Sequence, residues 1–590
     1  MKLSLILACG LVPTINGLGQ HSLVPTQHER PNIVVILTDD QDLHMDSVDY
    51  MPLLKKHVID HGTFYKHHFC STAICCPSRV TLWTGRNAHN TNVTDVFPPY
   101  GGYPKFVAQG FNKNWLPLWL QSAGYSTYYT GKLFNAHTIE NWNSPHPSGW
   151  TSSDFLLDPH TYQYLNASFQ RNQYPPVSYQ GQYSTDILAE KAFGLLHEGI
   201  ESGKPFFLTV APVAPHSNVD PFPTTGTPGD ALKDIRMTAP IPAERHKHLF
   251  PDAKVPRRSN FNPEKPGGAS WIKRLAKLTD EVIEYNDDFY RARLQVLQAV
   301  DELVEGVVLR LEQAGTLENT YIFYTTDNGY HISQHRLNPG KECGFEEDIN
   351  IPLIVRGPGV PIGESKVVTA HTDLAPTFLQ LAGAKWGWDG LDGSPIPLKK
   401  EDFEDEKKSR QEHVNIEFWG RSIPEGEHRF SLDDGKISMS SQTQALRIVG
   451  ANYSLYYSVW CTNEHELYDL TSDPGQLHNI YPTSSTQPDV TILGIPVSKV
   501  LPRLDALLMV TKSCKGHTCV HPWSVIHPAG NVQTLEEAMN RRFDNFYSSV
   551  SAAVSFEKCE LGYILESEGP QESVVFHEGA GDDWLGNEEL

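Results

Sequence analysis

Positive charge is scarce in this 590-residue chain: 48 Lys and Arg stand against 70 Asp and Glu, a formal net charge of −22. A field of that sign repels a polyanion and argues against a nucleic-acid partner. Long apolar runs are missing too. Beyond the N-terminal stretch Leu3 to Leu11, no segment approaches the ~20 consecutive apolar residues of a membrane helix, so no membrane span is expected. Cysteine is sparse, nine in all, too few in so long a chain for a disulfide scaffold. What is present is core material: 39% hydrophobic against 20% charged residues, which excludes a disordered chain.

Met1-Lys2, the apolar stretch after it and small residues around Gly17-Leu18-Gly19 read as a secretory signal peptide, residues 1–19. A secreted protein, or one of the secretory-pathway lumen, is therefore expected. Sequons at Asn92, Asn166 and Asn452 are compatible with glycosylation there. Cys9 leaves with the signal, and eight cysteines remain for an oxidising compartment.

The run Asn32 to Leu37 is continuously apolar and β-branched, as in a strand covered on both faces of a parallel sheet. Similar runs at Tyr125 to Thr130, Phe206 to Val210 and Thr320 to Tyr324 alternate with helical stripes at Ile187 to Leu196 and Leu294 to Leu311. Strand alternating with helix predicts an α/β fold with a doubly wound, mostly parallel sheet. The loop-like, Pro- and Gly-rich stretch from Pro212 to Trp271 is a candidate rim or lid, and its Trp271 is a candidate wall of an aryl or sugar pocket, or else an ordinary core aromatic. After a charged boundary segment, short strands at His413 to Trp419, Ala445 to Val449 and Tyr453 to Val459 suggest a smaller antiparallel sheet, followed by helices at Leu501 to Leu508 and Leu535 to Phe546. The division expected is 20–405 for a catalytic domain and 406–590 for a smaller C-terminal domain with an extension.

Open parallel sheets bind ligands beyond the carboxyl ends of their strands. Here four predicted strands each deliver a capable residue at that end: Asp39-Asp40, Lys132, His216 and Asp327-Asn328. A lone Asp-Asp pair is ordinarily a turn or a cap. Two such oxygen-rich pairs at strand ends of one sheet point instead to a hard cation, Ca²⁺ or Mg²⁺, and no zinc spacing of His or Cys accompanies them.

The most specific stretch is Cys75-Cys76-Pro77-Ser78-Arg79-Val80-Thr81-Leu82-Trp83-Thr84-Gly85. It resembles the signature C-x-P-S-R-x-x-x-x-T-G of formylglycine-dependent sulfatases. Thr38-Asp39-Asp40, Thr326-Asp327-Asn328-Gly329, Lys341 and Glu466-Leu467-Tyr468-Asp469 continue the family order, so the resemblance covers residues 30 to 480. The chain looks most like secreted fungal arylsulfatases and is similar to the branch of N-acetylglucosamine-6-sulfatases.

The resemblance implies an alkaline-phosphatase-like fold with a small C-terminal antiparallel sheet and helices. It implies that a formylglycine-generating enzyme converts Cys75 to formylglycine (3-oxoalanine), whose hydrated aldehyde is the nucleophile. It also implies that Asp39, Asp40, Cys75, Asp327 and Asn328 surround calcium (Ca²⁺, with Mg²⁺ second). Arg79 would hold the nucleophile, Lys132 and Lys341 the sulfate oxygens, and His216 the leaving oxygen of a small aryl or sugar sulfate ester. Many arylsulfatases carry a His two residues after the strand-end Lys; here Asn135 and His137 are the candidates for its role. The reaction expected is arylsulfatase hydrolysis of sulfate monoesters to an alcohol or phenol plus sulfate. The alternatives are a phosphomonoester or phosphonate ester hydrolase on the same scaffold, and a non-catalytic secreted sugar-binding protein.

Overall fold

The computed structural model describes residues 30–220, 235–406, 410–420, 422, 425–427, 442–482, 490–577 and 588–589; the signal-peptide reading and part of the Pro212 to Trp271 stretch lie outside them. Ten strands form one sheet: β1 (Asn32–Thr38), β2 (Thr63–Tyr65), β3 (Ser126–Lys132), β4 (Ser152–Leu156), β5 (Ser168–Arg171), β6 (Val177–Ser178), β7 (Phe206–Ala211), β8 (Thr320–Thr326), β9 (Leu353–Arg356) and β10 (Gly363–Ser365). Their spatial order is β10-β2-β9-β8-β1-β7-β3-β4-β5-β6. The central five, β8-β1-β7-β3-β4, run parallel, and antiparallel partners flank them on both sides.

Every residue of β1 is buried, which is why its sequence is a continuous apolar run and does not alternate. Helices α1 (Cys75–Thr84), α2 (Ser184–Glu201), α3 (Asp280–Gln313) and α4 (Leu374–Ala382) cover the sheet. The stripe from Leu294 to Leu311 is the buried face of α3, whose start lies further back, where the Thr279 side chain accepts the Val282 N–H and Asp280 and Glu281 occupy the first turn. α1 is buried along its whole length and is seated by Trp83, which meets Phe207 of β7 edge-on at 6.2 Å; Phe207 in turn packs on Phe378 of α4 at 5.3 Å.

A second, antiparallel sheet holds β11 (His413–Phe418), β12 (Thr443–Val449), β13 (Ser454–Trp460) and β14 (His465–Asp469), in that order. Helix α5 (Val497–Thr511) supplies Val500, Leu504 and Leu507 to its core. The helix expected over Leu535 to Phe546 is broken into Leu535–Ala538, Arg541–Phe543 and Asp544–Ser549. Asn540 explains the break, because its side chain accepts the Arg542 N–H and offers the backbone a turn in place of a continued helix. Trp271 is no pocket wall: it packs at 5.9 Å from Trp460, in a buried cluster with Ile272, Leu337 and Phe345. Disulfides join Cys461 to Cys559 and Cys514 to Cys519, while Cys70, Cys75, Cys76 and Cys343 are buried and unpaired. No helix among the described residues is long and apolar enough to cross a membrane.

A buried ion pair ties the short helix Ala88–Thr91, which follows α1, to the second sheet. His89 Nδ1 lies 2.7 Å from Glu417 Oε2 of β11, and its Nε2 lies 2.8 Å from the Cys514 carbonyl. Burial alone would lower the His89 pKa, but Glu417 raises it from 6.5 to about 9. A group raised in the folded state stabilises fully below its unfolded value, and that stabilisation is lost as pH rises through the folded one. Thermal unfolding from pH 6 to 9.5 should therefore show wild type losing its advantage over His89→Gln between pH 6.5 and 9, a difference of about 3 kcal/mol at most. A constant gap across that range would remove His89 as its source.

Candidate active site

Register assembles the site. Thr38 of β1 is paired with Thr326 of β8, so Asp39-Asp40 and Asp327-Asn328 leave the sheet side by side. On the other flank β7 pairs with β3, where Gly131 faces Ala211. Gly131 has φ +104°, and a Cβ there would lie 2.0 Å from the Ala211 carbonyl oxygen, so only glycine lets the strand close up before Lys132. β7 continues through Pro215 to His216, and α1 opens at Cys75. Asp40 sits at φ 66°, a left-handed conformation that Asp adopts more readily than most residues, with its N–H donated to Asp327 Oδ1 at 3.0 Å.

Three cations interleave with three carboxylates around the Cys75 sulfur. Lys132 Nζ donates to Asp39 Oδ2 at 2.5 Å, Lys341 Nζ to both Asp40 oxygens at 2.6 Å, and Arg79 Nε to Asp327 Oδ2 at 2.7 Å. Arg79, one turn along α1 from Cys75, also donates to the Lys132 carbonyl at 2.6 Å. Cys75 Sγ lies 3.4 Å from Asp39 Oδ1 and 3.4 Å from Lys341 Nζ. His216 Nε2 is 3.5 Å from Asp40 Oδ2, and its Nδ1 is 2.8 Å from the Ser217 carbonyl. A carbonyl only accepts, so Nδ1 carries hydrogen and Nε2 is a donor only in the imidazolium.

Burial dominates the electrostatics. It raises the Cys75 thiol well above its ordinary value, with Lys132 and Lys341 opposing, so this sulfur is a poor thiolate nucleophile. Burial, reinforced by the charge of Asp327, pushes Asp39 up to about 7. Asp327 itself is held low against burial by Arg79, Lys132 and Lys341. Burial also lowers His216 to about 4, opposed by Asp40.

This donor set fits a hard cation. Carboxylate oxygens of Asp39 and Asp40, Cys75 Sγ and a His216 ring nitrogen lie within 4.8 Å of one another. Asn328 donates its amide to Asp40 Oδ1 at 2.7 Å, yet its Oδ1 is buried without a hydrogen-bond partner, and the Asp39 carboxyl is crowded by Asp327. An orphaned amide oxygen beside crowded carboxylates is what a divalent ion relieves.

The Sulfatase family model matches residues 31–384. An arylsulfatase of Volvox carteri is 38% identical over 552 residues, 89% of this chain and 81% of that one. The chain belongs to the sulfatase family. The sulfatase is a sulfuric ester hydrolase of alkaline-phosphatase-like fold, and its family uses a metal ion and formylglycine. N-acetylglucosamine-6-sulfatase of Homo sapiens is 31% identical over 515 residues, 84% of this chain and 86% of its own. A protein solved in complex with its substrate D-glucosamine-2-N,6-O-disulfate superposes with a TM-score of 0.59 at 21% identity, over 77% of this chain and 94% of that one.

Beside Cys75 the sulfatase opens a cleft lined by Ile74, Phe97, Asn135, Tyr162, His216 and Lys341, among others. Of the two candidates for the missing His, Asn135 lines this cleft and donates Nδ2 to the Tyr162 hydroxyl at 2.7 Å, leaving its Oδ1 buried without a partner. His137 does not line it; its ring packs on Tyr103 at 4.5 Å and Phe155 at 5.4 Å, and burial lowers its pKa to about 3. Sequence reasoning missed Tyr162 and Glu425. The Tyr162 ring packs on that of His216 with centroids 4.1 Å apart and planes tilted by 31°, and lies 4.7 Å under the Lys132 ammonium. Glu425 reaches the cleft from beyond β11. Neither belongs to a motif, and only the folded chain brings them here.

Proposed function

We propose that this sulfatase hydrolyses small aryl or sugar sulfate monoesters, with Cys75 converted to formylglycine by a formylglycine-generating enzyme and Ca²⁺ held by Asp39, Asp40, Asp327 and Asn328. The observation that carries the reading is that Lys341 meets the Cys75 sulfur at the head of a buried helix while Lys132 and His216 close on the flanking Asp39 and Asp40. The ion would supply positive charge against the sulfuryl oxygens, and the formylglycine hydrate an oxygen nucleophile in place of a thiol that burial keeps protonated.

The chain's own groups do the rest. Lys132 and Lys341 bind sulfuryl oxygens, and their charges offset that of the ester as its S–O bond breaks. Arg79 fixes Asp327 and the Lys132 backbone, which keeps Cys75 and the first lysine in one frame. His216 gives a proton from Nε2 to the leaving oxygen as the imidazolium, a form that burial opposes, lowering the ring to about 4, and that Asp40 favours. Asn135 takes the place of the absent His through its unsatisfied Oδ1. The two disulfides support maturation in an oxidising compartment and so an exported protein.

A panel of sulfate and phosphate esters tests the reaction, on protein made with and without formylglycine-generating machinery. Sulfate turnover should depend on that machinery; equal turnover without it, or a preference for phosphate, would reject the reading. His216→Ala should lower kcat/KM by about 10²- to 10⁴-fold for esters of poorly acidic alcohols and less for activated aryl sulfates, because a stable phenolate needs less protonation. An equal loss across leaving groups would make His216 a sulfate-positioning residue.

A further inference from the structure

In the lining of the cleft, buried Glu425 is held from three sides. Its Oε2 accepts hydrogen bonds from the Tyr330 hydroxyl at 2.7 Å and from Ser217, its N–H donates to the Pro339 carbonyl at 2.8 Å, and its Oε1 lies 3.8 Å from Lys341 Nζ. Ser217 adjoins His216, and Pro339 precedes Lys341 by two residues, so the carboxylate is braced on the backbone that carries the leaving-group end of the site. Glu342 lines the same cleft, as does Asn135 with its unpartnered Oδ1, between apolar walls that include Phe97, Ile235 and Met237.

The cations of the site are already engaged: Lys132 with Asp39, Arg79 with Asp327, and Lys341 between Asp40 and Glu425. Among the described residues that line the cleft, Lys341 and His216 are the only groups able to carry positive charge. The sulfate end can therefore match one anion, and the side that receives the alcohol part of the ester offers acceptors and negative charge.

We propose that Glu425, seconded by Glu342, sets the charge specificity of the leaving group: an alcohol that is neutral, or that carries a protonated amine, is accepted, and one with a second anion near the ester is refused. The proposal rests on the reading that Cys75, Lys132 and Lys341 mark the sulfate end. A carboxylate or further sulfate on the alcohol enters the cleft and meets Glu425, and among the described residues that line it no cation is to spare. At the effective dielectric of such sites, two like charges ~7 Å apart discriminate by about tenfold or more.

The test uses the mature full-length protein and three aryl sulfates matched in leaving-group pKa: one uncharged on the ring, one with a ring carboxylate, one with a protonated aminomethyl group. The uncharged and cationic esters should exceed the carboxylated one in kcat/KM by about tenfold or more, and Glu425→Gln should shrink that ratio at least about fivefold. Equal rates in wild type, or a ratio unchanged in Glu425→Gln, would overturn the proposal while leaving the sulfatase reading in place. Hydrolysis of none of the three would overturn both. If Glu425→Gln does not fold, the wild-type series still decides, with Glu342→Gln as the second variant; an unchanged ratio there would confine the effect to Glu425 and remove the role given to Glu342.

Discussion

Cys75→Ala should abolish turnover of sulfate esters, with kcat falling by about 10⁴-fold or more, the scale seen when an enzyme loses its nucleophile. Cys75→Ser should fare as badly wherever the maturation machinery requires a thiol. Cys75 is the first residue of α1 and is fully packed, but both replacements are no larger than the thiol they remove, so folding should survive. Peptide mass spectrometry of active wild type should show the thiol mass gone at Cys75 and retained at Cys76. Cys76 faces none of the site cations at hydrogen-bonding distance, and burial pushes its thiol up to about 12. Active enzyme with Cys75 wholly a thiol or a disulfide would sink the mechanism.

Asp327→Ala should have the second-largest effect, because in the proposed site Asp327 would serve the cation while it also holds Arg79. Its Oδ2 accepts from Arg79 Nε and its Oδ1 from the Asp40 N–H. Its loss would take a charged ligand from the proposed cation site and strand a buried guanidinium, and breaking a buried pair in this way costs about 3–5 kcal/mol. Bound metal, measured by elemental analysis of the folded fraction, should fall from about one ion per chain toward zero, and kcat/KM by about 10³-fold. Asp327→Asn keeps the shape and should fold better while still binding metal weakly. Normal stoichiometry and turnover in Asp39→Ala or Asp327→Ala would reject the site. Chelation of wild type should silence it reversibly, with Ca²⁺ restoring activity.

The central strands were legible because each is buried on both faces and so wears its burial as an unbroken apolar run, as Asn32 to Leu37 does. The residues at their carboxyl ends were legible for a related reason: the chain leaves a buried strand only where the sheet stops, and there Asp39, Lys132 and Asp327 stand in short, recognisable segments. The signature at Cys75 to Gly85 lies on one helix, and local sequence was enough to find it. Where sequence misled, the cause was tertiary. An aromatic such as Trp271 reads alike in a pocket and in a core, and only its packing on Trp460 separates the two. The stretch from Leu535 to Phe546 has helical periodicity, yet one Asn side chain ends it.

By itself, then, the sequence determined the buried central strands and which capable residues stand at their carboxyl ends, since each is written in contiguous residues; the roles of nucleophile, metal ligand and sulfate grip came with the family resemblance and belong to the proposed function. The tertiary structure alone decided that Asn135 and not His137 lines the cleft, that Tyr162 packs on His216, and that Glu425 lines the cleft beside Lys341. Those contacts join residues tens to hundreds of positions apart, and their meeting depends on strand register and on how two sheets dock, which no local pattern encodes.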